Sequence, residues 1–405
     1  MIILRNEAHG GTVFDTSNGT LVRLDNEGFL AVLKYCWGQK LNQQEREIIN
    51  EINRKVPIQC SVKFIRLSKV NTRKEGLLVT NGPELIDFQI TYKCNSNCPH
   101  CYVNAQPNGI TVSLRRAIHA LNEFYKCRVL QVAFGGGEPT LHPSLPTILK
   151  ETYDRGIVPN LTSNGKDISN KVINAIIKYC GAVAFSIEDI GIGFANRRGY
   201  DIKKLFRLAD LLIKVGVNVA FHILVSRSNI EKLPQIVTKL LDLKPYAIVL
   251  LTYKPVGRGN PNEVLTTVKP DVLHKKIKKV IELLEGKTNV GFDACFAPAL
   301  SLLYMSSRGE TYEGCSAART SANVTPNLDV RPCSFVNYVG GNLEKQTLLK
   351  IWNGEIFEFF RNQILQKYYR CLNSNCPLAN YCLGGCPVMK LVPCTITEIR
   401  TPKLF

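Results

Sequence analysis

LIDFQITYKCNSNCPHCYVN, residues 85–104, leads from a seven-residue β-rich run straight into three cysteines, Cys94, Cys98 and Cys101, set within eight positions. Runs of the same kind recur at VLQVAFGG (129–136), VPNLTSN (158–164), AVAFSIED (182–189), NVAFHILVS (218–226) and AIVLLTYKP (247–255). Between them, residues 113–127, 145–156, 168–181, 202–216 and 232–243 space their apolar side chains at helical intervals. Six β/α units in a row predict a parallel sheet, because parallel strands need crossover helices and those helices cover the faces. The expected fold class is α/β, a partial (β/α)6 TIM-like barrel. Ligands of such sheets bind at the C-terminal strand ends, which is where the cysteine loop falls.

The flanks read differently. TVFDTSNGTLVRLD (12–25) is two β-rich runs around Asn18-Gly19, a strong hairpin cue. NEGFLAVLKYCWG (26–38) and NQQEREIINEINRK (42–55) follow as helices, so residues 1–80 form a small α+β module ahead of a barrel over 81–295. Past residue 295 the periodicity fades. Eight of the fifteen cysteines lie between Cys295 and Cys394, one helix is expected over 351–370, and residues 296–405 are read as a Cys-rich unit held by something other than a large core.

Composition narrows the classes. With 405 residues, 45% of them hydrophobic and 21% charged, the chain is globular and divides into two or three domains. No apolar run approaches the ~20 residues of a membrane helix, and MIILRN turns polar too soon for a secretory signal. The expected location is the cytoplasm, where cysteines serve as metal ligands or reactive thiolates more than as disulfides. The net charge of +18 is spread over helix faces such as LHKKIKKVIELLEGK (273–287), and no RNA-binding signature accompanies it, so nucleic acid is not the expected partner.

Three thiolates hold three corners of an iron–sulfur cube and leave one iron open to a further ligand. A zinc site would want a fourth donor, for which His100 is at hand. The spacing Cx3Cx2C resembles the signature of the radical S-adenosylmethionine (SAM) superfamily, whose [4Fe-4S] cluster chelates SAM at the open iron and cleaves it to a 5′-deoxyadenosyl radical. GGGEP (135–139) resembles that family's GGEP motif, which implies Gly136, Gly137 and Glu138 at the SAM amino group. LTSNG (161–165) resembles its ribose-facing loop, implying Ser163 and Asn164. FSIED (185–189) resembles its fourth-strand motif, implying Ser186, with Glu188-Asp189 replacing the usual Asp-Gly. Arg198, or equally Arg197, in NRRG would clamp the SAM carboxylate.

The C-terminal cysteines resemble the SPASM extension of the same superfamily, which implies one or two auxiliary [4Fe-4S] clusters. CSAARTSANVTPNLDVRPC (315–333) matches its first half, with Leu328 where a glycine is usual. CLNSNCPLANYCLGGCP (371–387) matches the second, with four residues in a first gap that usually has two. The resemblance implies Cys315, Cys333 and Cys386 at one cluster and Cys371, Cys376, Cys382 and Cys394 at the other; Cys295 is the candidate fourth ligand of the first, a buried thiol or a substrate-facing one being the alternatives. A zinc ribbon is the competing reading. Cys36, Cys60, Cys127 and Cys180 are expected to be ordinary buried thiols, and His142 and His222 structural. Asp293, Glu188 and Asp189 are available for proton transfer, and nothing in the sequence chooses a base among them.

GGTVFDTSNGTLVRLDNEGFLAVLKYC (10–36) resembles the peptide-recognition element of ribosomal-peptide maturases, which adds a leader peptide to its sheet edge. The resemblance implies a maturase that installs a thioether or carbon–carbon crosslink in a precursor peptide with an acidic leader. It would draw electrons from a donor such as flavodoxin or ferredoxin. The alternatives are a SPASM dehydrogenase acting on a folded protein or a small cofactor precursor, and a zinc-stabilised basic binding protein with no enzymatic role.

Overall fold

The computed structural model describes residues 1–58, 62–65, 77–190, 201–304 and 314–394. Strands β1 (Ile2–Glu7), β2 (Gly10–Asp15), β3 (Leu21–Leu24) and β4 (Lys63–Ile65) form a sheet of order β3-β2-β1-β4. β2 and β3 are the expected hairpin, with Phe14 opposite Leu21 and Gly19 at φ +76° in the turn. Helices α1 (Asn26–Cys36) and α2 (Gln43–Lys55) cover one face, packing around Leu4, Val13, Val32, Ile49 and Ile52. Asp25 caps α1 by accepting from the Gly28 N–H, and Asn42 with Glu45 forms a capping box on α2. β1 was not expected: its sequence carries Arg5 and Glu7, yet both are buried. The other face of the sheet rests on the barrel, where Ile3 and Phe14 meet Leu130 and Val158 near the N-terminal ends of strands.

The barrel alternates β5 (Leu85–Thr91), α3 (Leu114–Lys126), β6 (Gln131–Gly136), α4 (Leu145–Asp154), β7 (Val158–Ser163), α5 (Asn170–Tyr179), β8 (Ala182–Ile187), α6 (Ile202–Lys214), β9 (Asn218–Val225), α7 (Leu233–Leu241) and β10 (Ala247–Thr252). Each strand pairs in parallel with the next. α8 (Pro270–Leu284) leads to a seventh parallel strand, β11 (Asn289–Phe292), one more than the six read from sequence. The strands alternate with period two. Ile86, Phe88 and Ile90 of β5, Phe185 and Ile187 of β8, and Phe221 and Ile223 of β9 belong to the main core, whereas Asp87, Ser186, His222 and Leu224 line the cavity on the opposite, concave face.

After α9 (Ala297–Tyr304), strands β12 (Ser321–Val324), β13 (Asp329–Arg331) and β14 (Gly341–Asn342) extend the same sheet, β12 running parallel to β5. The sheet is therefore an open, partial barrel: β12 occupies the edge of β5 that β11 would need for closure. Helices α10 (Leu348–Trp352), α11 (Glu355–Asn373) and α12 (Ala379–Cys382) follow, so the single helix expected over 351–370 is two, broken at Gly354. The expectation of a poor C-terminal core is corrected here. Trp352, Phe357, Phe360 and Ile364 are buried in the same continuous core as the barrel. Buried Arg361 stacks on Trp352 and donates to the carbonyls of Ala318 (2.7 Å) and Trp352 (2.9 Å). The cysteine-bearing loops sit around this packed base.

Candidate functional site

The loop after β5 is hydrogen-bonded onto itself. The Tyr92 N–H donates to Ile110 O (2.7 Å), Cys94 N–H to Gln106 O (3.0 Å) and Val112 N–H to Ile90 O (3.0 Å). Within it Cys94 and Cys98 are buried and Cys101 is half-buried. Backbone N–H groups already point at two of the sulfurs, Ser96 N at Cys94 Sγ (3.4 Å) and Ala105 N at Cys101 Sγ (3.3 Å).

The GGGEP stretch packs directly on this loop. The Gly137 N–H donates to Thr91 O (2.7 Å) and the Glu138 N–H to Lys93 O (2.8 Å). Gly136 has φ +112°, and a Cβ there would lie 2.2 Å from Thr91 O; at Gly137 it would lie 2.3 Å from Lys93 O. Both positions therefore exclude any side chain. Glu138 faces inward. Its Oε1 accepts from Ser163 Oγ (2.8 Å), Thr140 Oγ1 (2.6 Å) and the Thr140 N–H (3.1 Å), and its Oε2 from the Asn164 N–H (2.7 Å). Asn164 in turn donates through Nδ2 to Asn95 Oδ1 (2.9 Å) and Ser96 Oγ (3.3 Å), inside the cysteine loop. Glu138 lies behind the cavity wall, which Gly136, Gly137, Ser163, Asn164 and Ser186 line. Arg197 and Arg198 fall outside the described residues, as does Cys60.

The cavity at the concave C-terminal end of the strands has a volume of about 370 Å3. All three cysteines of the loop open onto it, and so does a feature sequence reasoning missed: Lys254, buried just beyond β10. Its ammonium pairs with Asp293, donates to Thr252 O (2.9 Å) and lies 4.5 Å over the ring of Phe335. Burial alone would lower its pKa, but Asp293 turns the shift upward. Asp293 also accepts from Thr252 Oγ1 (2.7 Å), so it is an anchored counter-ion rather than a poised base. Glu188 pairs with His100 at 2.9 Å, and neither Glu188 nor Asp189 lines the cavity. His142 is structural, its Nε2 bonded with Val112 O (2.7 Å). His222 faces the cavity, and burial lowers its pKa to about 4, so it is neutral there. Of the four remaining cysteines, Cys127 is buried as expected, whereas Cys36 and Cys180 are half-buried.

The C-terminal thiols fall into two neighbourhoods. Cys295 and Cys386 share a hydrogen bond that lowers the pKa of Cys386 and raises that of Cys295. Burial first, and then the charges of Cys333 and Cys386, raise that of Cys315 to about 12. Around the second group, burial raises Cys382, with Cys371 and Cys394 adding to it, and burial likewise raises Cys371, with Cys376 and Cys394 adding to that. The wide first gap is the last turn of α11: the Cys376 N–H donates to Cys371 O (3.0 Å) after Asn375 turns at φ +51°. Leu328 keeps the left-handed backbone of the glycine it replaces, at φ +65°, with its side chain fully buried. Ser334 and Phe335, beyond Cys333, and Asp293, before Cys295, line the main cavity, so the first neighbourhood abuts the three-cysteine loop across it.

The donors suit thiolate-held iron: soft sulfurs, backbone N–H groups aimed at them, and an adjoining space in the range of small-ligand sites. Among the described residues no three Cys, His, Asp or Glu side chains close tightly enough to ligate a single ion. A cubane, which seats each thiolate on its own iron, asks for wider separations.

Comparison with known proteins agrees. Residues 88–240 match the model of the radical SAM superfamily, and residues 315–377 that of the SPASM iron–sulfur cluster-binding domain. PqqA peptide cyclase of Granulibacter bethesdensis is 21% identical over 280 residues, covering 66% of this chain and 72% of the relative. AdoMet-dependent heme synthase of Methanosarcina barkeri is 22% identical over 312 residues, covering 71% and 87%. Among solved structures, Streptococcus suis SuiB bound to S-adenosylmethionine superposes with a TM-score of 0.70 at 19% identity, over 95% of this chain and 94% of that one. The chain belongs to the radical SAM superfamily and carries a SPASM iron–sulfur cluster-binding domain.

Proposed function

We propose that this radical SAM enzyme matures a ribosomally made peptide, installing a thioether or carbon–carbon crosslink. The observation that carries this reading is the shared cavity, whose walls join the loop of Cys94, Cys98 and Cys101 to residues flanking Cys295 and Cys333. A substrate side chain held there would touch both. A [4Fe-4S] cluster and SAM bound there would supply a 5′-deoxyadenosyl radical that takes one substrate hydrogen atom, with an auxiliary cluster taking the remaining electron as the crosslink closes and a proton leaves.

This chain's residues do the rest. Cys94, Cys98 and Cys101 hold the cluster. Gly136 and Gly137 admit SAM close to the backbone, Ser163, Asn164, Ser186 and Arg198 orient it, and Glu138 keeps the β6 and β7 ends in register from behind. Cys295, Cys315, Cys333 and Cys386 hold one auxiliary cluster, and Cys371, Cys376, Cys382 and Cys394 the other. An external donor such as flavodoxin or ferredoxin supplies electrons, and the enzyme works in the cytoplasm as three units, residues 1–80, 81–295 and 296–405. No helix among the described residues is long and apolar enough to cross a membrane.

The peptide substrate is supported by the N-terminal sheet. Among the described residues β3 pairs on one side only, leaving backbone groups for an added strand. The likeness to SuiB extends over nearly the whole chain, and SuiB is also known bound to its precursor peptide SuiA. The net charge of +18 suits an acidic leader. The heme synthase relative favours the second reading, a small cofactor precursor as substrate.

Anaerobic enzyme with SAM, a reductant and the short peptide encoded beside its gene decides between them. A product lighter by two hydrogens is expected. SAM cleavage with an unchanged peptide mass contradicts that pairing.

A further inference from the structure

The cysteine loop is gripped from across the cavity by a residue that lies in none of the motifs above. Beyond β10 the chain turns through Gly257 to Arg258. Arg258 Nε donates to the carbonyl of Cys98 (3.0 Å), and Nη1 donates to the carbonyl of Ala105 (2.8 Å) and to Asn104 Oδ1 (3.1 Å). Its backbone N–H donates to the carbonyl of Cys101 (3.0 Å). Gly257, at φ +64°, sits so close that a Cβ there would lie 2.4 Å from Cys101 O. The turn is thus seated on the segment carrying the second and third cysteines, 153 to 160 residues away in sequence.

One guanidinium nitrogen is left over. Nη2 is buried and has no hydrogen-bond partner among the described residues, although Arg258 lines the cavity together with Cys94, Cys98 and Cys101. A buried donor on a cation is costly to leave unpaired, so its site calls for an acceptor. The carboxylates that line the same cavity are engaged: Asp293 by Lys254 and Thr252, and Asp87 by Asn323 and Ser334. With Nε and Nη1 fixed to the loop, the planar group cannot swing away from the cysteines.

We propose that Arg258 is a positioning residue for the three-cysteine cluster: it fixes the curvature of the loop and turns Nη2 onto a cluster or cysteine sulfur. A charged N–H on sulfur stabilises the added electron, so the cluster is easier to reduce than it would be without Arg258. This rests on the reading of Cys94, Cys98 and Cys101 as cluster ligands.

The test is an EPR-monitored redox titration of the anaerobic holoenzyme, following the reduced signal that changes on adding SAM, which separates this cluster from the auxiliary ones. In Arg258→Gln that signal should move to more negative potential by at least a tenfold change in the reduction equilibrium, about 59 mV for one electron. Arg258→Lys, which restores the charge without the fork, should fall between. An R258Q enzyme with full iron content and an unshifted potential overturns the assignment. If R258Q fails to retain the cluster, R258K decides: a shifted signal supports the assignment and a wild-type potential refutes it. A wild-type enzyme with no SAM-responsive signal would instead remove the cluster reading, and this inference with it.

Discussion

Glu138 Oε2 accepts a 2.7 Å hydrogen bond from the backbone N–H of Asn164, and this contact joins the end of β6 to the end of β7 behind the cavity wall. Four donors converge on the one carboxylate, from Ser163, Thr140 and Asn164. Glu138→Gln replaces one acceptor oxygen with a donor, which must then face one of them. Hydrogen bonds to a buried charge are worth about 1.5–3 kcal/mol each, so the variant should melt at lower temperature and release deoxyadenosine at least tenfold more slowly. Wild-type melting and turnover would show that the two strand ends keep register without the carboxylate.

Asp87 gives a pH signature. It lies in the cavity wall, accepting from Asn323 Nδ2 (3.2 Å) and hydrogen-bonded to Ser334, and burial pushes its carboxyl up to about 6 from an ordinary 3.8. The folded value lies above the unfolded one, so the stability it contributes is fully present below 3.8 and is lost as pH rises through about 6. The loss is at most about 3 kcal/mol, less to the extent that the cavity is wet. Melting of the wild type should therefore fall more steeply than that of Asp87→Asn between about pH 4 and pH 6, and run parallel to it above that. Parallel curves would contradict the assignment.

Arg5 locks the N-terminal sheet to the barrel. Its Nε meets Glu7 at 2.5 Å, and its terminal nitrogens donate to the carbonyls of Pro83 (3.2 Å), Arg128 (3.0 Å) and Gly82 (3.2 Å). Arg5→Ala leaves Glu7 buried without its cation, at a cost of about 3–5 kcal/mol. Hydrogen exchange in residues 2–24 should accelerate and peptide modification should fall, while SAM cleavage without peptide persists. Unchanged exchange would mean that apolar contact alone holds the module.

Cys295 is the ligand whose place in sequence is least regular. Cys295→Ala should alter the auxiliary-cluster EPR signal and abolish crosslinking while deoxyadenosine release stays within a few-fold of wild type. Cys180→Ala, in the opposite end of the barrel, should do neither. Intact crosslinking in the C295A enzyme would return Cys295 to the structural thiols.

The series from β5 to β10 was legible because its outward strand faces are apolar and its helices amphipathic, both periodic signals. What escaped lacks periodicity. β1 carries Arg5, which donates to the carbonyls of Gly82, Pro83 and Arg128, and Glu7, which accepts from Arg5 and from the Asn81 N–H. β11 is only four residues long, NVGF, and β12 is SANV, small residues that pair because β5 offers them an edge. The cysteines announced themselves by spacing, and so did the glycines of GGGEP, though their necessity comes from the approach of Thr91 and Lys93 as much as from any ligand. Lys254 and Arg258 could not be read, since Arg258 acts on the carbonyls of Cys98 and Ala105 and Lys254 on a carboxylate 39 positions downstream.

The most direct measurement is deoxyadenosine release by anaerobically reconstituted enzyme given SAM and dithionite, compared between the wild type and a variant with Cys94, Cys98 and Cys101 all replaced by alanine. The wild type should release deoxyadenosine, and the variant none, while keeping the iron of its auxiliary clusters. Release at the wild-type rate by the alanine variant would contradict the account.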